Sequence, residues 1–361
     1  QRGRADYVEL HAHSAYSFLD GASLPEELAA RAAELGYDAL ALTDHDGVYG
    51  SLEFAYAARH FGLRSITGAE VTVENGAHVT LLCESQHGYA NLCRILTDAH
   101  ARTRLPGRET DLLPAGTTTA FVAEHADGLV CLSGCARNGL AVRDPNAAAR
   151  LARAFGDAFY VELQRPFERG DARRNAALAD LAEAIDAKTV ATGDVHVHHP
   201  RRARLQDALV AIRNRTSLDG CERERRGNHE SVLLDPYAML ERLPRDAALR
   251  TREVAERCEF DLCQELGRSP RPSELAERLE LDLDLVVEAL AANGCFSPTS
   301  LDATPVGAEG GIGERLGEDD ESFDSAEARV ALKPLLAHLD RRERIMLEMR
   351  FFKGATQSEI G

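Results

Sequence analysis

Nine residues able to bind a metal ion run in order through the N-terminal part of the chain: His11, His13, Asp20, His45, Glu70, His78, Cys135, Asp194 and His196. Nearly all lie at or just after a short apolar run that reads as a β-strand, the edge at which α/β proteins build their sites. His11 and His13 stand at i and i+2 at a strand end, so both side chains share one face while Ala12 points to the other. Asp44, His45 and Asp46 follow Leu40 to Thr43, and Asp194 with His196 repeats the i, i+2 spacing after Val190 to Thr192. Three strand ends thus carry histidine and carboxylate together. That donor set suits zinc, manganese or iron, and a carboxylate such as Glu70 can bridge two ions. Ions paired at about 3.5 to 4 Å are the usual apparatus for phosphoester hydrolysis. A single histidine at a strand end is more often a hydrogen-bonded or surface residue than a ligand. H-x-H, T-D-H-D and D-x-H at the same kind of location are hard to produce by chance. Cys135 is the weakest member, because burial as a small apolar residue is the common fate of cysteine. His198 and His199, beside Pro200, read as solvent-facing. His60, His87, His100, His125, His229 and His338 read as ordinary surface or capping residues.

The elements that must position this set alternate short β-rich runs with amphipathic helices from Tyr7 to about Leu262, the pattern of repeated βα units. Strands are predicted at Tyr7 to Leu10, Ala39 to Leu42, Arg64 to Ile66 with Glu70 to Val73, Val79 to Cys83, Leu129 to Leu132, Phe159 to Leu163 and Thr189 to Ala191. Six or more such units with parallel strands make either a closed barrel or a doubly wound sheet, which pattern alone does not separate. Ser23 and Glu26 have capping-box spacing at the start of the first helix, with Pro25 in its first turn and Gly36 closing its far end. Gly62 is expected to stop the next helix in the same way. Past residue 262 strand signals vanish. Residues 270 to 293 read as two short helices, one capped by Ser273 and one over Leu281 to Ala292. Residues 302 to 325 read as an acidic, glycine-rich linker. Helices are expected over Ala326 to His338 and Arg341 to Phe352, with another beginning at Gln357, so the tail reads as cut off.

A length of 361 residues predicts two domains. No apolar run is long enough to span a bilayer and no basic-then-apolar leader opens the chain, so a soluble, cytoplasmic protein without membrane contact is expected. The eight cysteines contain no C-x-x-C pair, which argues against a zinc ribbon, a dithiol or a disulfide framework. A formal net charge of -17 opposes broad duplex binding, leaving room for a local nucleic-acid site whose metals supply the positive charge.

L-H-A-H-S at 10 to 14, S-F-L-D-G at 17 to 21, A-L-T-D-H-D-G at 41 to 47, G-A-E at 68 to 70, H-V-T-L-L at 78 to 82, L-S-G-C at 132 to 135 and D-V-H at 194 to 196 resemble the successive ligand motifs of the polymerase and histidinol phosphatase (PHP) family. The resemblance covers roughly residues 5 to 262 and is closest to the branch found at the N-terminus of bacterial error-prone DNA polymerases, relatives of the polymerase III alpha subunit. It implies an α/β fold, a distorted seven-stranded β/α barrel, with a cleft for up to three zinc or manganese ions. It further implies that His11, His13, Glu70 and Asp194 hold the first ion and form the catalytic set, with Glu70 bridging to a second ion held also by His78 and Cys135. Asp20, His45 and His196 would hold the third. The implied reaction is hydrolysis of a phosphoester by metal-activated water, without a histidine nucleophile. Polymerase-attached PHP domains that have lost ligands serve as platforms; here all nine positions carry competent ligand types. The polymerase core and its palm carboxylates are not in this chain, so no DNA synthesis is expected from it.

E-L-G-R-S-P-R-P-S-E-L-A-E-R-L at 265 to 279 and S-L-D at 300 to 302 resemble region 3 of sigma-70-type sigma factors of the stress and sporulation group. V-A-L-K-P-L-L-A-H-L-D-R-R-E-R-I-M-L-E-M-R-F-F at 330 to 352 and T-Q-S-E-I at 356 to 360 resemble the first part of region 4. This implies small all-α, sigma-like segments at 264 to 301 and 326 to 361 and a contact with RNA polymerase. The helix that would enter the major groove is absent, as is region 2, so no promoter recognition is expected. Periodicity alone makes Leu332, Leu335, Leu336, Leu339, Ile345, Leu347 and Phe351 helix-core positions. The join of two incomplete families reads as a fusion or a shortened piece.

The leading expectation is therefore a metal-dependent phosphoesterase or 3'-5' exonuclease, acting on a nucleic-acid 3' end or a small phosphate ester. The competing one is a noncatalytic, metal-stabilised scaffold whose tail contacts RNA polymerase or DNA. Histidinol-phosphate phosphatase shares the metal site but ranks lower, because S-F-L-D-G and the stretch to Leu262 follow the polymerase branch.

Overall fold

The computed structural model describes residues 6–105, 108–222, 224–225, 228–263, 271–279, 281–293, 334 and 338–360. The chain divides into two compact units, Gln1–Ser269 and Pro270–Gly361.

The first unit is a mixed α/β fold built on one six-stranded sheet. Its strands are β1 (Ala39–Leu42), β2 (Arg64–Thr72), β3 (His78–Cys83), β4 (Leu129–Leu132), β5 (Phe159–Gln164) and β6 (Lys188–Thr192), paired in chain order. The expectation of parallel strands fails at β3, which runs antiparallel to both β2 and β4. The cause is the connection. Residues 73 to 77 are too few for a crossover helix, and Asn75 and Gly76 both take positive φ, 62° and 67°. Asn-Gly between two β-rich runs is a strong short-range hairpin signal. β2 is also one continuous strand rather than two, pairing in parallel with β1 through Thr67 and antiparallel with β3 from Gly68.

The expected first strand, Tyr7 to Leu10, does not form as a strand. Single parallel bridges tie Glu9 to Leu40 and Ala12 to Val195, so this segment joins the β1 edge to the residues just past β6. Val8 and Leu10 pack with one face of the sheet whereas Ala12 packs with the other, so strict alternation breaks between Leu10 and His11. Among the described residues the main sheet thus has six strands and not seven, an irregular segment standing where the first was expected; a separate antiparallel pair joins Arg104–Leu105 to Arg108–Leu112.

Each face of the sheet has its own core. Leu40, Leu42, Val71, Leu81, Cys131, Phe159 and Val161 pack with buried residues of helices α1 (Pro25–Leu35), α2 (Ser51–His60), α3 (Gln86–His100) and, after short helices at Thr119–Glu124 (α4) and Leu140–Arg143 (α5), α6 (Pro145–Phe155). On the opposite face Ala41, Ile66, Leu82, Leu132, Tyr160 and Val190 pack against Val254 and Ala255 of the helix Arg245–Arg257. Along that second face the strands change character. Tyr160 is followed by Glu162 and Gln164, Ile66 by Glu70, and Val190 by Thr192, all buried. Polar groups buried in this way require partners, which here they find in one another.

The first helix begins one residue later than expected. Leu24 is its N-cap, and its N–H donates to Glu27 Oε2 at 2.9 Å. Ser23 instead accepts the His198 N–H at 2.8 Å, with His198 Nδ1 also 2.8 Å away, so His198 is half-buried rather than solvent-facing. Gly36 ends the helix with φ 85°, and Gly62 follows the next with φ 70°.

In the second unit, helices span Pro272–Leu279, Leu283–Asn293 and Arg341–Leu347, the last continuing into a π-helical turn at Glu348–Phe352, and a short helix covers Gln357–Ile360. Ser273 lies inside its helix instead of capping it. Asp340 caps Arg341–Leu347, accepting from Glu343 N–H at 2.8 Å. Ile345, Leu347 and Phe351, expected as core, are exposed, Phe351 at 76%. Leu332, Leu335 and Leu336, the linker and the Ala326 to His338 helix apart from Pro334 and His338 lie outside the described residues. Among the described residues no helix is long and apolar enough to cross a membrane.

Candidate metal centre

All nine expected ligands belong to one edge of the first unit's sheet, and all but His11 line a single cleft of about 770 Å³. His11 lies just beneath, fully buried. His78 reaches that edge by opening β3, the antiparallel strand; Glu70 lies within β2, and His45, Cys135, Asp194 and His196 come just after β1, β4 and β6.

Glu70, inside β2, is the centre of the arrangement. Its Oε2 lies 2.8 Å from His11 Nε2 and 3.9 Å from His13 Nε2, and its Oε1 lies 3.1 Å from His45 Nδ1 and contacts His78 Nδ1. Asp194 Oδ1 is 3.6 Å from His13 Nε2, 3.9 Å from His11 Nε2 and 3.5 Å from His196 Nδ1. Asp20 Oδ2 is 3.2 Å from His45 Nε2 and 3.6 Å from His196 Nε2. Three groups of donors are close enough to share an ion: His11, His13 and Glu70; His45, Glu70 and His78; and His13, His45 and His196. His45 belongs to two of these groups, with Glu70 and His78 and with His13 and His196, and none of the three includes Asp20, Asp194 or Cys135, which line the cleft.

Neighbouring residues that bear no ligand role fix these positions. The carboxylates flanking His45 are committed to other partners. Asp44 accepts from Ser14 N–H, Ser14 Oγ and Ser17 Oγ at 2.6 to 2.7 Å, which anchors the loop carrying Asp20. Asp46 accepts from Thr72 N–H and Oγ1 at 2.7 Å. Gly134 has φ 93°, and a Cβ there would sit 2.1 Å from the His78 carbonyl oxygen. Only glycine lets the Cys135 loop pass that close to His78.

Sequence reasoning missed Glu162. It lies on the polar stretch of β5, 2.7 Å from His11 Nδ1, and accepts from Gln164 Nε2 at 2.8 Å and from Thr192 Oγ1. A carboxylate behind a histidine fixes its orientation and leaves the other ring nitrogen facing the site. The signal was one glutamate in the apolar run F-Y-V-E-L, where an unpaired charge would be too costly to keep. Glu9 is a second buried carboxylate, accepting from Tyr7 Oη at 2.7 Å and from Gly193 N–H at 3.0 Å, with burial pushing it up to about 7.

The electrostatics call for positive charge. Burial pulls His11 down, but Glu162 and Glu70 outweigh it and hold the imidazole well above its usual range. His13 is pushed well below that range by burial and by His196 and His45, leaving it neutral. Burial works against ionised Glu70, yet His78, His45 and His11 keep its carboxyl well below the ordinary value. Cys135 is raised by burial and then by Glu70 and Asp194. His13 Nε2 and Glu70 Oε1 are fully buried, and the groups that face them are other candidate ligands, Asp194 and Glu70 for the first and His45 and His78 for the second. Lone pairs converging in this way fit a divalent cation, and imidazole, carboxylate and thiol together fit zinc or manganese.

Residues 9–166 match the PHP domain family and residues 251–328 match sigma-70 region 3. The second match begins inside the helix Arg245–Arg257, whose Thr251, Val254 and Ala255 are buried in the first unit. The chain is 38% identical over 271 residues to an error-prone DNA polymerase of Symbiobacterium thermophilum, covering 70% of this chain and 25% of that one. It is 39% identical over 275 residues to an error-prone DNA polymerase of Mycobacterium tuberculosis, covering 71% and 25%. It thus spans about a quarter of the length of the curated relatives it matches. Among solved structures, the lesion-specific endonuclease of Pyrococcus furiosus aligns with a TM-score of 0.37 at 16% identity, over 53% of this chain and 48% of that one.

Proposed function

We propose that the first unit is a metal-dependent phosphoesterase that hydrolyses phosphoester bonds at a nucleic-acid 3' end. The observation that carries this reading is the convergence of ligand atoms from separate strand ends on Glu70, whose two oxygens face three imidazoles. His11, His13, Glu70 and Asp194 would hold the first ion, Glu70 with His78 and Cys135 a second, and Asp20, His45 and His196 a third. Bound there, zinc or manganese supplies Lewis acidity toward the phosphoryl group and acidifies a water.

The protein's own residues set up that chemistry. Glu162 holds the His11 ring so that Nε2 faces Glu70. Asp44 holds the loop that brings Asp20 to the cleft. Arg137 and Arg213 also line the cleft, where guanidinium groups can pair with phosphate oxygens; Arg213 Nη1 lies 3.4 Å from Asp20 Oδ2. Phe18, 81% exposed, also lines the cleft and offers a ring face to a base. A nucleotide has a use for both features, and an aliphatic phosphate has a use for one.

The test is digestion of 3'-labelled single-stranded DNA with manganese or zinc, run beside the double variant His11→Ala, His13→Ala. Release of label by the parent alone supports the reading. Equal inertness of the two proteins overturns it in favour of a metal-stabilised scaffold.

A further inference from the structure

A second groove, of about 820 Å³, lies beside the cleft and shares a wall with it. The wall is an ion pair: Arg137, which lines the cleft, donates from Nε to Glu168 Oε1 at 3.0 Å, and Glu168 lines the groove. The groove is formed by the loop that follows β5 and by the start of the helix Asp171–Ala184. It therefore opens at the same sheet edge as the metal ligands.

Its most unusual residue is Phe167. The ring is 52% exposed, and the backbone holds it at φ 57°, a conformation that aromatic residues rarely adopt. The guanidinium carbons of Arg165 and Arg242 lie 5.1 Å and 4.5 Å from the ring centroid. These two arginines are locked to each other's backbone, Arg165 Nη1 donating to the Arg242 carbonyl at 3.1 Å and Arg242 Nε to the Arg165 carbonyl at 3.0 Å. Arg173 adds an exposed cation on the same wall. Among the acids nearby, Glu168 is paired with Arg137, Asp171 with Arg174 and Glu230 with Arg242, and the exposed Glu241 also lines the groove, which leaves Arg165 and Arg173 as its cations toward a phosphate. A rigid half-open aromatic ring among guanidinium groups is the equipment with which proteins hold single strands without regard to sequence.

We propose that this groove is a binding track for single-stranded nucleic acid, holding the nucleotides upstream of the terminus that occupies the cleft, with Phe167 as the stacking platform. The assignment rests on the phosphoesterase reading and adds the part of the substrate that lies beyond the reacting bond.

The experiment measures affinity of the full chain, in manganese, for 5'-labelled oligothymidylates from dinucleotide to octanucleotide, each with a phosphorothioate at its last linkage to slow cleavage. Hydrolysis of bis-p-nitrophenyl phosphate is followed alongside. The parent gains affinity between the dinucleotide and the hexanucleotide. Phe167→Ala and Arg173→Glu each lose about tenfold for the hexanucleotide, keep their dinucleotide affinity and keep the small-ester rate. Because Arg173 is exposed, its variant tests the groove even where loss of Phe167 disturbs the loop. Affinity that is independent of length, or length dependence untouched by both variants, overturns the track while leaving the phosphoesterase reading standing. Failure of every oligonucleotide to bind or be cut, with the small ester still hydrolysed, removes the track together with the nucleic-acid substrate.

Discussion

His11 lies just beneath the cleft with its ring oriented from behind. Glu162 contacts Nδ1, and Gln164 and Thr192 hold Glu162 in turn, so the ring presents Nε2 to Glu70. Glu162→Gln removes the charge while keeping the shape, and it is expected to lower zinc or manganese affinity about 10- to 100-fold. Titration calorimetry of the folded variant checks this; unchanged affinity would make Glu162 a purely structural residue. Cys135 admits a second test. Its thiol lines the cleft next to Glu70 and Asp194 and is raised by burial and by both carboxylates, so it gains a role only when a cation favours the thiolate. Soft thiolate ligands select zinc over manganese. Cys135→Ser is expected to weaken zinc binding more than manganese binding, and equal losses would remove the thiol from the ligand set.

The hairpin between β2 and β3 decides the site at the level of elements. Antiparallel pairing carries His78, the first residue of β3, to the edge at which its neighbours end. A parallel β3 would have placed it at the opposite end. Asn75 and Gly76 make this possible with two consecutive positive φ values. Replacing both by alanine is expected to destabilise the first unit by about 2 kcal/mol, from the cost of left-handed backbone. Urea denaturation measures that loss, and an unchanged midpoint would show that the strands, and not the turn, set the register. The Asn-Gly pair was legible in the sequence. The alternation of apolar runs with helical stretches nevertheless suggested parallel βα units throughout, because period alone carries no strand direction.

For the first unit as a whole, burial of the proposed ligands would couple metal binding to folding. His11 and His13 are fully buried and Glu70 nearly so, and without a cation this charge is compensated only by neighbouring imidazoles and hydrogen bonds. Binding at about 100 times Kd adds roughly 2.7 kcal/mol per site. Chelation is therefore expected to lower Tm by roughly 5 to 10 °C for a unit of this size. Thermal scans with chelator and with added manganese check it; a Tm indifferent to both would mean that the cluster binds no ion. The formal charge of -17 places any nucleic-acid contact in local features such as the metal cleft and the Phe167 groove, not in the overall field.

The sequence by itself determined which candidate ligands are present and in what order, and it put His45, Cys135, Asp194 and His196 just past strands, because residue chemistry and a period of two are local properties. It also located most helices and strands of the first unit, and Gly36 at the end of the first helix. Tertiary structure alone decided that Glu70 faces three imidazoles, that Glu162 stands behind His11, and that Asp44 and Asp46 brace loops instead of joining the centre. It also decided that the segment at Tyr7 to Leu10 is an irregular join between sheet edges. Most of these depend on groups far apart in the chain, such as Asp46 and Thr72, His11 and Glu162, or Ala12 and Val195. Which of them meet is set by strand direction, by register and by how many hydrogen bonds a buried carboxylate must find.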